Sequence, residues 1–195
     1  LAQRGIAYDI VIDDLAADYL RNGTPGRYNA LGFGYGSMGG HYTYDEATRQ
    51  LDTMKLLYPN LITDKIALGR TGENRIIWGA KISSNPAIDD PTKPEVLYTG
   101  LHHAREPMGV MSIIYYMYWL LENYGTNPEA TYLVNNRQQW FVPIIKVEGY
   151  EYKLSTNPNG GGMWRKNRRV NSPGVYGVDP NRNYGPYYMW NSTNG

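Results

Sequence analysis

The chain has 195 residues, 42% of them hydrophobic, and its 19 basic and 18 acidic side chains leave a formal charge of +1. That hydrophobic content supports a folded core and excludes intrinsic disorder, and the near balance of charge argues against a dedicated nucleic-acid binder. With no cysteine, neither a disulfide framework nor a cysteine-ligated zinc site can form.

The length suits one domain with room for a small appendage. Residues 8–12 read as a short strand and residues 13–21 as a short helix with Asp13 at its start. A glycine-rich connection follows over residues 22–42, without helical or strand period. Thr43 and Glu46 then have the capping-box spacing. Ala47, Leu51, Met54, Leu57 and Tyr58 follow at near-helical intervals until Pro59 stops the helix. Residues 65–70 and 75–82 are β-rich runs around Thr71-Gly72-Glu73-Asn74 and predict a hairpin. Residues 96–100 form a short, unalternating apolar run, the pattern of a strand covered on both faces. Pro107 suits the first turn of an apolar helix that ends near Gly125. Its apolar stretch, about 15 residues, is too short to span a membrane. Asn127-Pro128 opens a further helix to about Asn135, and residues 140–147 are again strand-like. Beyond Gly149 the composition reads as loop.

Strands alternating with helices imply an α/β fold with a mixed sheet. In such folds ligands bind past the carboxyl ends of strands, which directs attention to the residues after Gly100. There Leu101-His102-His103-Ala104-Arg105-Glu106-Pro107 holds two of the three histidines in the chain. His103 and Glu106, three apart at a helix entry, fall on one side and can reach one metal ion at about 2.0–2.2 Å. The other reading of the same pair is a polar helix start in which Glu106 favours the positive end of the dipole. A second cluster, Met163-Trp164-Arg165-Lys166-Asn167-Arg168-Arg169, is either a solvated basic loop or a source of a guanidinium aimed at an oxyanion. A third, Gly177-Val178-Asp179-Pro180-Asn181-Arg182-Asn183, can bind a carboxylate through the arginine fork and the amide, although Asn-Arg-Asn in a loop is weak alone.

Taken in order, H-A-R-E, W-R-K-x-R-R and D-x-N-R-N resemble the zinc metallocarboxypeptidases, the family of the pancreatic carboxypeptidases and their secreted bacterial relatives. Tyr35-Gly36-Ser37-Met38-Gly39-Gly40, Tyr42-Thr43-Tyr44, Leu57-Tyr58-Pro59-Asn60 and Gly160-Gly161-Gly162 add to the likeness. The resemblance implies the N-terminal part of a mixed-sheet α/β/α sandwich over residues 43–195, with residues 1–21 either the tail of a pro-segment or an extension packed on the domain. It implies Zn2+ as cofactor, with His103 and Glu106 as the first two ligands. It implies Arg165 as the catalytic arginine that polarises the scissile carbonyl, and Arg105, Asn181 and Arg182 as substrate-binding residues, the last two gripping a free C-terminal carboxylate. Asp179 matches a carboxylate that accepts a hydrogen bond from the first histidine ligand. His102 has no catalytic counterpart and reads as a buried, hydrogen-bonded histidine.

Two departures stand out. Lys146-Val147-Glu148-Gly149 lies where members often have Asn-Pro-Asp-Gly, and Pro180 where an aliphatic residue is common. Both are expected to alter only local loop geometry. The resemblance also implies a third histidine ligand downstream of Asn181-Arg182, a glutamate base and a closing tyrosine. No histidine follows Arg182 in this sequence, so the chain alone is expected to bind metal weakly and to be inactive. The implied activity is removal of C-terminal residues from peptides, outside the cell or in the periplasm, with no nucleic-acid or membrane partner. A same-fold amide deacylase or cell-wall peptidase, and a non-catalytic peptide-binding module, are the alternatives. The bare sheet edge expected of such a piece would be covered by the remaining half of the domain or by self-association.

Overall fold

The computed structural model describes residues 7, 9–14, 33–182, 184 and 185. Residues 9–14 form no strand, and Val11 is 90% exposed. The short strand expected at residues 8–12 therefore does not form in its described part: these residues pair with no described strand, and an apolar run of that length has no reason to stay extended unpaired. The helix expected at 13–21 lies mostly outside the described residues.

Helix α1 (Tyr44–Leu57) begins as the spacing requires. Thr43 accepts from the Glu46 backbone N–H, and the Glu46 carboxylate accepts from the Thr43 backbone N–H, a reciprocal cap. Strands β1 (Ile66–Arg70) and β2 (Ile76–Ile82) form the expected antiparallel hairpin. Then follow β3 (Glu95–Thr99), α2 (Met108–Glu122), α3 (Pro128–Asn136) and β4 (Gln138–Val142). Asn127 caps α3 through its side-chain oxygen, with Pro128 in the first turn. The four strands are ordered β1-β2-β4-β3, with β2 antiparallel and β3 parallel to β4. The sheet is mixed, as expected.

Helices α1 and α2 cover one face. Tyr116 of α2 packs its ring against Tyr98 and Phe141, and its hydroxyl donates to Gln139. Tyr44 of α1 packs beside Trp78 of β2. The other face bears Leu97, 64% exposed, paired in register with Trp140. Among the described residues, strand β3 is thus not covered on both faces: it is an edge strand with one helical layer against it. Apolar composition reported the strand correctly; which neighbours cover it is a property of tertiary arrangement.

The region after β4 corrects the sequence reading further. The strand ends at Val142, and helix α4 (Val147–Thr156) occupies what reads as loop. Gly149 suggests a break, and Lys146 at the N-cap offers no side-chain cap. The glycine is there for close approach instead: a Cβ at Gly149 would lie 2.3 Å from the Lys166 carbonyl oxygen. A small hairpin, β5 (Val170–Ser172) with β6 (Val175–Tyr176), and a 3-10 turn at Pro180–Arg182 complete the described elements. No described helix is long and apolar enough to cross a membrane.

Candidate functional site

Parallel strands β3 and β4 end side by side, and the chain leaving β3 is fixed there by main-chain bonds. Gly100 N–H donates to Val142, Ile145 N–H to Gly100 and Lys146 N–H to Leu101. A Cβ at Gly100 would come 2.7 Å from the Pro143 carbonyl oxygen, so this crossing admits only glycine. Leu101 then turns into the left-handed region at φ 52°, although it is not glycine and is almost fully buried. Strained backbone of this kind persists where surrounding bonds hold it, and it clusters at functional sites. The turn directs His103 and Glu106 toward one another ahead of α2.

His103 is 6% exposed. Its Nδ1 lies 2.8 and 3.0 Å from the two Glu106 carboxylate oxygens. Its buried Nε2 makes no hydrogen bond, although Asp179 Oδ1 is 3.3 Å away. The two ends of the imidazole therefore face two carboxylates. With the proton on Nδ1 the ring bonds to Glu106. With the proton on Nε2 it faces Asp179, and the Nδ1 lone pair is free beside the Glu106 oxygens. The second state is the one a metal ligand adopts. The donors converge closely enough to hold one ion at about 2.0–2.2 Å from each with a small opening of the pair. The residues fit two of the ligands of a zinc site. No group of three or more His, Cys, Asp or Glu residues that could hold a metal occurs among the described residues.

Arg165 joins the same cluster from the loop after α4. Its Nε donates to Asp179 Oδ2 at 3.1 Å, one terminal nitrogen lies 3.0 Å from the same oxygen, and the other lies 3.7 Å from Glu106 Oε1. Its carbonyl accepts from Ala104 N–H, which ties this loop to the histidine loop. Burial alone would raise Asp179, but the Arg165 hydrogen bond, the Asn181 N–H and the charges of His103 and Arg165 outweigh it and hold the carboxyl below its ordinary range. Asp179 also shapes the 3-10 turn: Oδ1 accepts from Asn181 N–H at 3.0 Å, and its carbonyl accepts from Arg182 N–H.

His103, Glu106, Arg165 and Asp179, predicted from three separate stretches of sequence, form one contiguous network. Asn181 shares with Thr99, Leu101, His102, His103 and Glu106 an open cavity of about 320 Å³. Arg182 stands beside it with an exposed guanidinium, donating to the Asn181 carbonyl at 3.0 Å. Arg105 is half-buried and joins no ion pair or hydrogen bond among the described residues. His102 is half-buried rather than enclosed, 3.3 Å from Thr99 Oγ1, and lines the cavity. Burial, His103 and Lys146 hold its pKa below the ordinary histidine value.

Two residues of the departing tetrapeptide contribute more than local loop shape. Glu148, 4% exposed, accepts from Glu73 N–H at 2.7 Å and from Arg168 N–H at 3.2 Å, fastening the arginine loop to the β1–β2 turn. Lys146 is 2% exposed and its Nζ has no hydrogen-bond partner. Their departure from Asn-Pro-Asp-Gly was the available signal; their burial was not legible, because lysine and glutamate are ordinarily exposed.

A family model described as zinc carboxypeptidase matches residues 47–195, and the chain belongs to that family. It is 36% identical over 151 residues to a zinc carboxypeptidase of Saccharothrix mutabilis subsp. capreolus, covering 77% of this chain and 33% of that protein. It is 31% identical over 141 residues to an inactive metallocarboxypeptidase, ECM14, of Saccharomyces cerevisiae, covering 72% of this chain and 31% of that protein. The fold matches the crystal structure of a carboxypeptidase A from Helicoverpa armigera with a TM-score of 0.72 at 22% identity, over 100% of this chain and 47% of that one. The chain thus spans about a third of the length of these curated relatives and under half of the solved structure. The expected mixed-sheet α/β fold is the fold of the family, represented here by part of it.

Proposed function

We propose that the protein carrying this chain is a zinc-dependent metallocarboxypeptidase that removes C-terminal residues from peptides. The observation that supports it most is the convergence of His103, Glu106, Arg165 and Asp179 at the carboxyl ends of β3 and β4, beside the cavity that Asn181 lines. His103 Nδ1 and Glu106 supply two ligands, and the family resemblance assigns a third, a histidine, to a downstream segment. Bound zinc supplies Lewis acidity and lowers the pKa of a bound water to about 7. In the tautomer with its proton on Nε2, His103 faces Asp179 Oδ1 at 3.3 Å, and Nδ1 is then available. Arg165 offers N–H donors to the oxyanion that develops on the scissile carbonyl, the type of interaction worth about 10² to 10³ in rate. Asn181 and Arg182 bind the free carboxylate, for which a planar guanidinium fork is better suited than an ammonium. Arg105, with no partner among the described residues, is available to the peptide backbone. The resemblance implies a glutamate base as well, and turnover is proposed for the protein that carries this chain.

Similarity to a fungal protein named inactive supports a second reading, a peptide-binding module without turnover. A panel of peptides with free and amidated C-termini, incubated with the full-length protein with and without a chelator, separates the readings. The account expects chelator-sensitive loss of single C-terminal residues from free-acid peptides only. Equal cleavage of amidated peptides points instead to a same-fold amidase, and binding without cleavage to the module.

A further inference from the structure

In the W-R-K-x-R-R run, Arg165 joins the site network, while Arg168, three residues on, meets aromatic rings. Its guanidinium lies 3.8 Å from the ring centre of Tyr152, 4.3 Å from that of Tyr176 and 4.6 Å from that of Trp164. The rings come from three segments: helix α4, strand β6 and the residue just before Arg165. Tyr152 and Trp164 also meet edge to face at 4.9 Å. One cation therefore ties a helix, a hairpin and the approach to Arg165 together. Its own backbone N–H donates to Glu148 at 3.2 Å, which fixes where that cation leaves the chain.

Trp164 carries this hold to Arg165. Its indole N–H donates to the Lys166 carbonyl at 2.7 Å, so the residues on either side of Arg165 are joined by a bond that spans it. That carbonyl abuts α4, 2.3 Å from where a Gly149 Cβ would lie. The Arg165 carbonyl accepts from Ala104 N–H. The chain is thus held at three consecutive residues, and the Arg165 side chain leaves it to reach Asp179 through Nε at 3.1 Å. A donor aimed at an oxyanion needs such placement, because an error of about 1 Å can cost about 10²-fold in rate. Resting on the peptidase reading above, we propose that Arg168 is a positioning residue for that reaction: its guanidinium, seated among Tyr152, Trp164 and Tyr176, holds the Trp164 indole against the Lys166 carbonyl and so sets where Arg165 presents its donors.

The test uses the full-length protein and the variant Arg168→Met, which keeps an unbranched stem and removes the charge, in the wild-type and Arg165→Ala backgrounds. In the wild-type background kcat should fall by about 10- to 100-fold, with KM and zinc affinity changed less than about threefold. In the Arg165→Ala background the same change should alter kcat less than about twofold, because the group it positions is gone. Unchanged kcat, a change confined to KM, or an undiminished effect in the second background overturns the proposal. Trp164→Phe guards against a variant that fails to fold: it keeps a ring beside Arg168 and deletes only the indole N–H bond. It should lower kcat in the same background-dependent way, and an unchanged kcat overturns the route through Trp164. A further arm needs no turnover. In protein labelled with 15N-arginine, the Arg165 Nε–H signal, identified by its loss in Arg165→Ala, should exchange with solvent at least about tenfold faster on Arg168→Met. An unchanged exchange rate also overturns the proposal. If the wild-type protein cleaves no peptide, the peptidase reading fails by itself, while this arm still decides whether Arg168 holds Arg165 in place.

Discussion

The loop carrying His103 and Glu106 and the loop carrying Arg165 and Asp179 reach the same point by different means. The first leaves a strand end and is held by main-chain bonds from Gly100, Ile145 and Lys146 to neighbouring strand-end residues. The second contains the β5–β6 hairpin and main-chain bonds from Ala104 N–H to the Arg165 carbonyl, from Asn167 N–H to Val178 and from Gly177 N–H to Arg169, and side chains add further anchors. Glu148 accepts from Arg168 N–H, and Asn167 Oδ1 accepts from the N–H groups of Val178 and Arg169. The Arg168 guanidinium lies 3.8, 4.6 and 4.3 Å from the ring centres of Tyr152, Trp164 and Tyr176. A metal-ligand pair built on a sheet tolerates substitution around it, because the sheet carries its geometry. An oxyanion donor whose loop depends in addition on side-chain bonds tolerates it less, so single substitutions should separate the two loops.

The largest effect should come from Arg165→Ala in the full-length protein. Removing the donor should lower kcat by about 10² to 10³, and zinc affinity should stay within a few-fold, since neither ligand is lost. Loss of zinc on this substitution would show that the two loops are one unit after all. Steady-state kinetics with zinc analysis reads both.

Gly149→Ala should act next. Its Cβ would meet the Lys166 carbonyl at 2.3 Å, so α4 and the arginine loop must part. We expect a loss of about 1–3 kcal/mol in stability, measured by urea unfolding, together with a lower kcat from displacement of Arg165. Wild-type stability would mean that the loop moves freely and that the side-chain anchors described above do not hold it.

The smallest effect is a pH dependence. Lys146, with a folded pKa of about 8 against an ordinary 10.5, is disfavoured in its charged form on folding. The penalty is present in full below about pH 8 and is relieved as pH rises from about 8 toward 10.5, so stability should rise over that window. Lys153, also buried and pushed down to about 8 by burial, adds a similar contribution. Lys146→Met should therefore raise stability at pH 7 by on the order of 1–2 kcal/mol and flatten part of the slope. Thermal unfolding at pH 7 and pH 9.5 would show it; a destabilised variant would mean that the ammonium has a compensating bond in the folded state.

The same contrast explains what the sequence revealed. The half that leads to the histidine loop was legible because its signals are local: the Thr43–Glu46 cap, the β1–β2 hairpin, the apolar run of β3 and the His103–Glu106 spacing each declare themselves within a few residues. The half around the arginine loop was legible only through family motifs, which named Arg165, Asp179, Asn181 and Arg182 without saying what holds them. Helix α4 was missed because its glycine, required by the approach of Lys166, carries the same signature as a break. Lys146 and Glu148 look like solvated charges until packing shows them buried. The cover expected over both faces of β3 failed for a related reason: what lies against a strand is decided by residues far from it in sequence, and Leu97 stays open among the residues described.

One measurement tests the central claim most directly: equilibrium zinc titration of the full-length protein, comparing wild type with His103→Ala and Glu106→Ala. The account predicts one zinc per chain in the wild type, and affinity lower by several orders of magnitude in each variant, because each removes one of the two ligands that the proposal assigns to this site. One zinc per chain held equally well by either variant would contradict it, since the metal would then lie elsewhere and the network around Asp179 would need another explanation.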